Sequence, residues 1–200
     1  MSRWITKRHV VTITLLSTFS LDQFLKLWVA SRWPSGFEAT DGFSPPFYLV
    51  HTLNRAAIFG WMGDWPEPLR LAVFCLAFVL ASALALSLYR GLALGEWLSA
   101  FALGCVVGGA LSNVVDRLRL GGSVDLFRFS LWSDANASNF ALNLADLFIG
   151  VGVGILVFEL VVGEGNRRAL GLQGRLDSEA LSSTRPRAEG RTPEEKNTDS

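Results

Sequence analysis

Apolar residues run almost unbroken through four stretches of the chain, at about 10–30, 69–89, 96–117 and 140–162. A hydrocarbon core needs about 20 such residues per helix, so the pattern predicts four transmembrane helices. The first stretch follows a basic leader, "MSRWITKRH", but no small-x-small cleavage site comes after it and apolar character continues through "FLKLWVA"; an uncleaved span is expected. Residues 31–68 have a different texture. Trp33, Phe37, Phe43, Phe47, Tyr48, Phe59, Trp61 and Trp65 crowd this connection, and "PPFYLVHTL" suits a short strand. A small structured unit at the membrane interface is predicted, because amphipathic rings favour that layer. From about 163 the composition turns to Gly, Ser, Arg, Glu and Pro, which cannot bury enough surface to offset its ordering entropy, so a disordered tail is expected.

Composition supports the membrane reading: 50% of residues are hydrophobic and only 18% charged, against about 25% charged in soluble domains. Formal net charge is zero, with 7 of the 18 Lys and Arg in the last 38 positions; nucleic acid is not an expected partner. Cys75 and Cys105 stand far apart in apolar runs without metal spacing and read as inert packing residues. Counting basic flanks, 11 Lys and Arg fall on the side holding both termini and the 90–95 loop, and six on the other. Both termini are therefore predicted to be cytoplasmic, with residues 31–68 and 118–139 outside. The fold class is an all-α membrane protein of four transmembrane helices with a small aromatic-rich, partly β extracytoplasmic segment. Residues 1–162 form its membrane domain and 163–200 a cytoplasmic tail.

A charge at membrane depth costs roughly 2.5–3.5 kcal/mol on insertion scales, so each one requires a reason. Asp22 and Lys26 lie one helical turn apart and can neutralise each other on one face. In the third span, Asn113 can share a face with Asp116 or Arg117, and Arg117 is near enough to the helix end to snorkel. With the fourth span starting near Phe140, Asp146 sits about six residues, or roughly 9 Å, below its outer end, one turn from Asn143. Interhelical hydrogen bonding is the plain structural reading of those two. Topology collects Asp22, Lys26, Asn113, Asp116, Arg117, Asp125, Asn143 and Asp146 in the outer leaflet, and the inner leaflet has little besides Glu96 and Glu159. The pairs Gly104/Gly108 and Gly150/Gly154 have the small-xxx-small spacing of close helix contacts.

The motifs "DQFLK", "NRAAIF", "GGALSNVVDRLRLGGSVDLF" and "ALNLAD" resemble, in order, spacing and membrane position, those of lipoprotein signal peptidase, or signal peptidase II, over about residues 10–162. The resemblance implies an aspartic endopeptidase of the bacterial inner membrane, active near the periplasmic face, that removes signal peptides from prolipoproteins carrying diacylglyceryl on the cysteine after the cut. Matched motif by motif, Asp125 and Asp146 would be catalytic, with Asn54, Asn113, Arg117, Asn143, Asp22 and Lys26 supporting them or binding substrate. No metal or cofactor is implied. Lipid-modified prolipoprotein and membrane lipid are the expected partners, and a monomer is expected. Ala56, Ile58, Ser112, Leu126, Leu142 and Leu147 depart from the family's usual residues without removing a carboxylate. In this chemistry an aspartate pair shares one proton and activates a water.

Two other classes fit the apolar pattern. A small carrier or channel requires polar residues across the whole membrane, and "LRLAVFCLAFVLASALALSLY" offers almost none. A non-catalytic helical scaffold requires only that the polar groups lock helices together, and it predicts tolerance of Asp-to-Asn changes. Zinc-protease, serine and cysteine motifs are missing, as is the Gly-x-Gly-Asp signature of other intramembrane aspartic proteases.

Overall fold

The structure, a computed structural model, describes residues 6–38, 47–56, 61–93, 95–129 and 140–183. Within them lie four helices long and apolar enough to cross a membrane: α1 (Lys7–Arg32), α2 (Glu67–Gly91), α3 (Trp97–Leu120) and the first part of α4 (Leu144–Ser183). Half of the apolar window of α3 is buried inside the protein, against 6% in α2, so α3 is the central helix and α2 presents its leucines outward.

Small residues let α3 approach its neighbours. A Cβ on Gly104 would lie 2.6 Å from the Thr14 side chain, one on Gly108 2.6 Å from the Leu15 carbonyl oxygen, and one on Gly109 2.7 Å from that of Ala145. The fourth helix contacts α3 through Gly152, whose added Cβ would meet the Ala102 carbonyl oxygen at 2.6 Å. Gly150 and Gly154, expected to make this contact, have nothing within 4 Å. Side chains two residues from Gly152 point away from α3, because two steps of 100° carry a residue to the far face of a helix.

The extramembrane structure contains more strand than the aromatic segment alone predicts. A four-stranded antiparallel sheet runs in the order β1 (Phe37–Glu38), β2 (Phe47–Asn54), β3 (Ser123–Phe129), β4 (Phe140–Leu142). The first two strands fall in the aromatic segment, where Trp33 stacks on Phe37 with centroids 5.3 Å apart; Phe43 and Phe59 lie outside the described residues. β3 begins just after α3 ends; Gly121 adopts φ 71° and closes the helix with a bond from its N–H to the Arg117 carbonyl. Gly122 follows with no room for a Cβ, which would sit 2.8 Å from the Asn54 carbonyl oxygen.

Two boundaries differ from expectation. Residues 140–142 are strand, and α4 starts at Leu144, which places Asp146 in the first turn of the helix and not six residues inside it. Beyond 163, where composition predicts disorder, the backbone is helical through Ser183. Lengthening an existing helix avoids the nucleation cost of a new one. Residues 184–200 lie outside the described residues. The chain divides into two compact units, Met1–Glu159 and Leu160–Ser200.

Candidate active site

The end of the bundle where α1 and α3 finish and α4 begins carries every site residue picked out from the sequence. Along β3 the two-residue period puts Ser123 and Asp125 on one face and Val124 and Leu126 on the other. Val124 and Leu126 pack with Val29 of α1 in a buried cluster, and this anchors the strand so that Asp125 is held away from the apolar side. A bulge in β2 sets the register: Leu49 pairs with Phe127 and Thr52 with Asp125, so Val50 and His51 oppose Leu126 alone. Asn54 then lies opposite Ser123, and its Nδ2 donates to Asp125 Oδ2 at 2.9 Å.

Asn143, at the start of α4, joins the two aspartates. Its Nδ2 donates to Asp125 Oδ1 at 3.1 Å, while its backbone N–H donates to Asp146 Oδ2 at 3.2 Å. In return Asn143 Oδ1 accepts the Asp146 backbone N–H at 3.0 Å. This reciprocal pair is a capping box, with a short acid at the third helical position in place of Glu. It satisfies orphan donors of the helix start and fixes both side chains. Asn113 of α3 completes the cradle, donating from Nδ2 to Asp146 Oδ1 at 2.8 Å.

Asp125 is 1% exposed. Burial pushes its carboxyl up to about 6, opposed by the bond from Asn54, reinforced by the nearby charge of Asp146, and opposed again by Asn143 and Lys26.

Beneath the cradle lies a buried charge cluster. Lys26 Nζ sits 2.6 Å from Asp22 Oδ2 and 2.7 Å from Asp116 Oδ2, and donates to Asn113 Oδ1 at 3.0 Å. Each carboxylate accepts two further bonds. Asp22 accepts Ser112 Oγ–H at 2.7 Å and the Ala145 N–H at 2.8 Å; Asp116 accepts Gln23 Nε2–H at 2.8 Å and the Val124 N–H at 3.3 Å. Through these bonds α1 secures α3, β3 and the first turn of α4. Arg117 contacts carbonyls: its Nη1 donates to Asn113 O and its Nη2 to Ala56 O, each at 3.3 Å, with the guanidinium 3.9 Å over the Phe74 ring. Because the Ala56 N–H caps Asn54 Oδ1 at 3.0 Å, Arg117 steadies the turn that presents Asn54.

A family model described as signal peptidase (SPase) II matches residues 14–162. The chain belongs to the signal peptidase II family. Among relatives of this peptidase, the lipoprotein signal peptidase of Aeromonas hydrophila subsp. hydrophila is 37% identical over 141 residues, covering 70% of this chain and 81% of the relative. That of Desulfitobacterium hafniense is 30% identical over 159 residues, covering 80% and 97%. A bacterial membrane enzyme solved by the in meso method at 2.3 Å has the same fold, with TM-score 0.65, 18% identity and coverage of 78% of this chain and 90% of the other.

Several departures from the family motif have structural roles in this peptidase. Ser112 bonds Asp22, Leu126 is fully buried behind Asp125, and Leu142 pairs with Phe127 across β3 and β4. Leu147 is exposed at 48%, and Ile58 lies outside the described residues. Sequence reasoning overlooked Gln23, Ser112 and Ser123 as members of the polar network. The available signal was their polarity beside chargeable residues in apolar surroundings. Among the described residues no cluster of His, Cys, Asp and Glu has the makings of a metal site.

Proposed function

We propose that this peptidase is an aspartic endopeptidase of the bacterial inner membrane, cutting signal peptides from diacylglyceryl-modified prolipoproteins with Asp125 and Asp146 as its catalytic pair. The observation that carries the proposal is the double engagement of Asn143, which bonds Asp125 through its side chain and Asp146 through its backbone. Two acids 21 positions apart are thereby oriented by one residue. The names of the relatives, lipoprotein signal peptidases, support the substrate class.

In this mechanism the pair shares one proton, because two like charges at close range do not both ionise cheaply. The ionised member takes a proton from water as the water oxygen bonds to the scissile carbonyl carbon. The protonated member gives its proton to the developing oxyanion. Collapse of the tetrahedral diol breaks the C–N bond as the member that took the water proton delivers it to the leaving nitrogen, while the other recovers a proton from a hydroxyl of the intermediate, so the pair again shares one proton. The products are a signal peptide ending in a carboxylate and a lipoprotein beginning at its lipid-bearing cysteine. Buried Asp125, with its carboxyl near 6, suits proton sharing at neutral pH. Asn54, Asn113 and Asn143 hold the carboxylates, Arg117 braces Asn54, and Asp22 with Lys26 locks α1 beneath them.

The proposed setting has both termini and the 163–200 segment in the cytoplasm, residues 1–162 acting as a monomeric membrane domain among lipids, and the site near the periplasmic face. The aromatic 31–68 segment covers substrate and limits bulk water.

The test incubates purified full-length protein with a precursor in lipidated and unlipidated forms. Cleavage directly before the lipid-bearing cysteine, only of the lipidated form, is expected. Inhibition by a peptide carrying a tetrahedral hydroxyl in place of the scissile carbonyl is expected as well. Cleavage of the unlipidated form alone, or indifference to the hydroxyl mimic, would contradict the proposal.

A further inference from the structure

Ser123 takes no part in the chemistry above, yet the residue is 2% exposed and its hydroxyl lies between two of the three asparagines that hold the aspartates. Its Oγ donates to Asn113 Oδ1 at 2.7 Å and accepts from Asn143 Nδ2 at 3.0 Å. We propose that Ser123 is a positioning residue that fixes the orientation of both carboxamides, so that each turns an N–H and not an oxygen toward its aspartate.

The direction of this relay is forced. Asn113 Oδ1 has no proton to give and Asn143 Nδ2 no lone pair to offer. One hydroxyl, with a single proton and free lone pairs, joins them in one sense only. Rotating the Asn113 amide by half a turn would point Nδ2 at Lys26 Nζ and at the serine, and Oδ1 at the Asp146 carboxylate. The contacts with Lys26 and Asp146 would be repulsive, and the bond from the serine to Oδ1 would be lost; with Asn113 so fixed, the serine proton is committed to Oδ1 and only its lone pairs face Asn143. Lys26 enforces one donor contact on Asn113 Oδ1 at 3.0 Å and Ser123 the other. On Asn143, the serine holds the Nδ2 proton that Asp125 does not take. Ser123 thus links the support of Asp146 to the support of Asp125, and it sits two residues from Asp125 on the same strand face.

Alanine would make the same backbone bonds in β3, so strand pairing does not call for the hydroxyl. The charged groups around the relay are Asp22 and Lys26 of α1, Asp116 and Arg117 of α3, Asp125 of β3 and Asp146 of α4. None of them bonds Ser123 directly among the contacts described, so its removal acts through the two asparagines.

The inference rests on the aspartic-pair reading, and the test separates the two. Full-length Ser123→Ala is assayed on lipidated precursor across pH beside wild type and Asp125→Asn, with thermal unfolding of each recorded in the same micelles. A fall in kcat of about tenfold is expected, the effect of losing roughly one hydrogen bond in the transition state, with KM changed less than twofold. The acidic limb of the pH–rate profile should move upward, because a freer Asn143 donates less well to the Asp125 anion. Should the alanine variant fail to fold, Ser123→Cys keeps the volume with a much weaker hydrogen-bonding group and is expected to show the same losses. Wild-type kcat and an unmoved profile in a folded variant, with Asp125→Asn inactive, would overturn the role of Ser123 alone. Full activity of Asp125→Asn would overturn the underlying reading.

Discussion

Replacing Asp125 by asparagine exchanges a buried carboxylate for its neutral shape-mimic, and two effects of opposite sign follow. Burial lifts the carboxyl to about 6 in the folded protein, whereas an unfolded chain has the ordinary value of about 3.9. The folded state therefore binds the extra proton, and the associated stability is fully present below about pH 4 and lost as pH rises through 6. At neutral pH wild type bears a cost on the order of 3 kcal/mol that an asparagine does not. Against this, both Asp125 oxygens accept amide donors, from Asn54 at 2.9 Å and Asn143 at 3.1 Å. Asparagine offers oxygen to only one and faces the other donor with its own NH2, a loss of about 1–3 kcal/mol at every pH. The variant is expected to be less stable than wild type near pH 4 and equal to it or more stable near pH 7. Unfolding of both full-length proteins in the same mixed micelles, from pH 4 to 8, measures this, since the comparison cancels titrating groups that are not coupled to Asp125. A stability difference that stays flat across that range would mean that Asp125 does not titrate near 6 in the folded protein.

Lys26→Ala leaves Asp22 and Asp116 buried without their shared cation, and should cost about 3–5 kcal/mol of stability in the same unfolding assay. Gly152→Ala forces a Cβ to 2.6 Å from the Ala102 carbonyl oxygen, whereas Gly150→Ala meets nothing within 4 Å. The first should lose about 1–3 kcal/mol and the second gain up to about 1 kcal/mol, read from melting of the two variants. A reporter fused to the C-terminus should read cytoplasmic in cells; a periplasmic signal would break the proposed topology.

Much of this arrangement can be read from the residues themselves. The spans were legible because long apolar runs have few alternatives, and the polar cluster because charges are rare at such depths. The start of α4 was not. "FALN" is as apolar as a helix, and a run that short does not distinguish strand from helix. Only pairing of Phe140–Leu142 with β3 decides it. The capping pattern Asn143-x-x-Asp146 was nevertheless present in the sequence and marks Asn143 as the residue before the helix. β3 was hidden for another reason, since Ser123, Asp125 and Arg128 make its alternation look like a polar loop until Val124 and Leu126 meet Val29. Ser123 itself gave no signal beyond polarity, because its importance depends on two asparagines that are remote from each other in sequence.

The central claim is that Asp125 and Asp146 act as one catalytic unit. Its most direct test is single-turnover cleavage of lipidated precursor by Asp125→Asn, Asp146→Asn and the double variant, each shown to be folded. The account predicts that each single change slows cleavage by about a thousandfold or more, and that the double variant is scarcely slower than either. A folded single variant that keeps more than about a tenth of wild-type cleavage would contradict it.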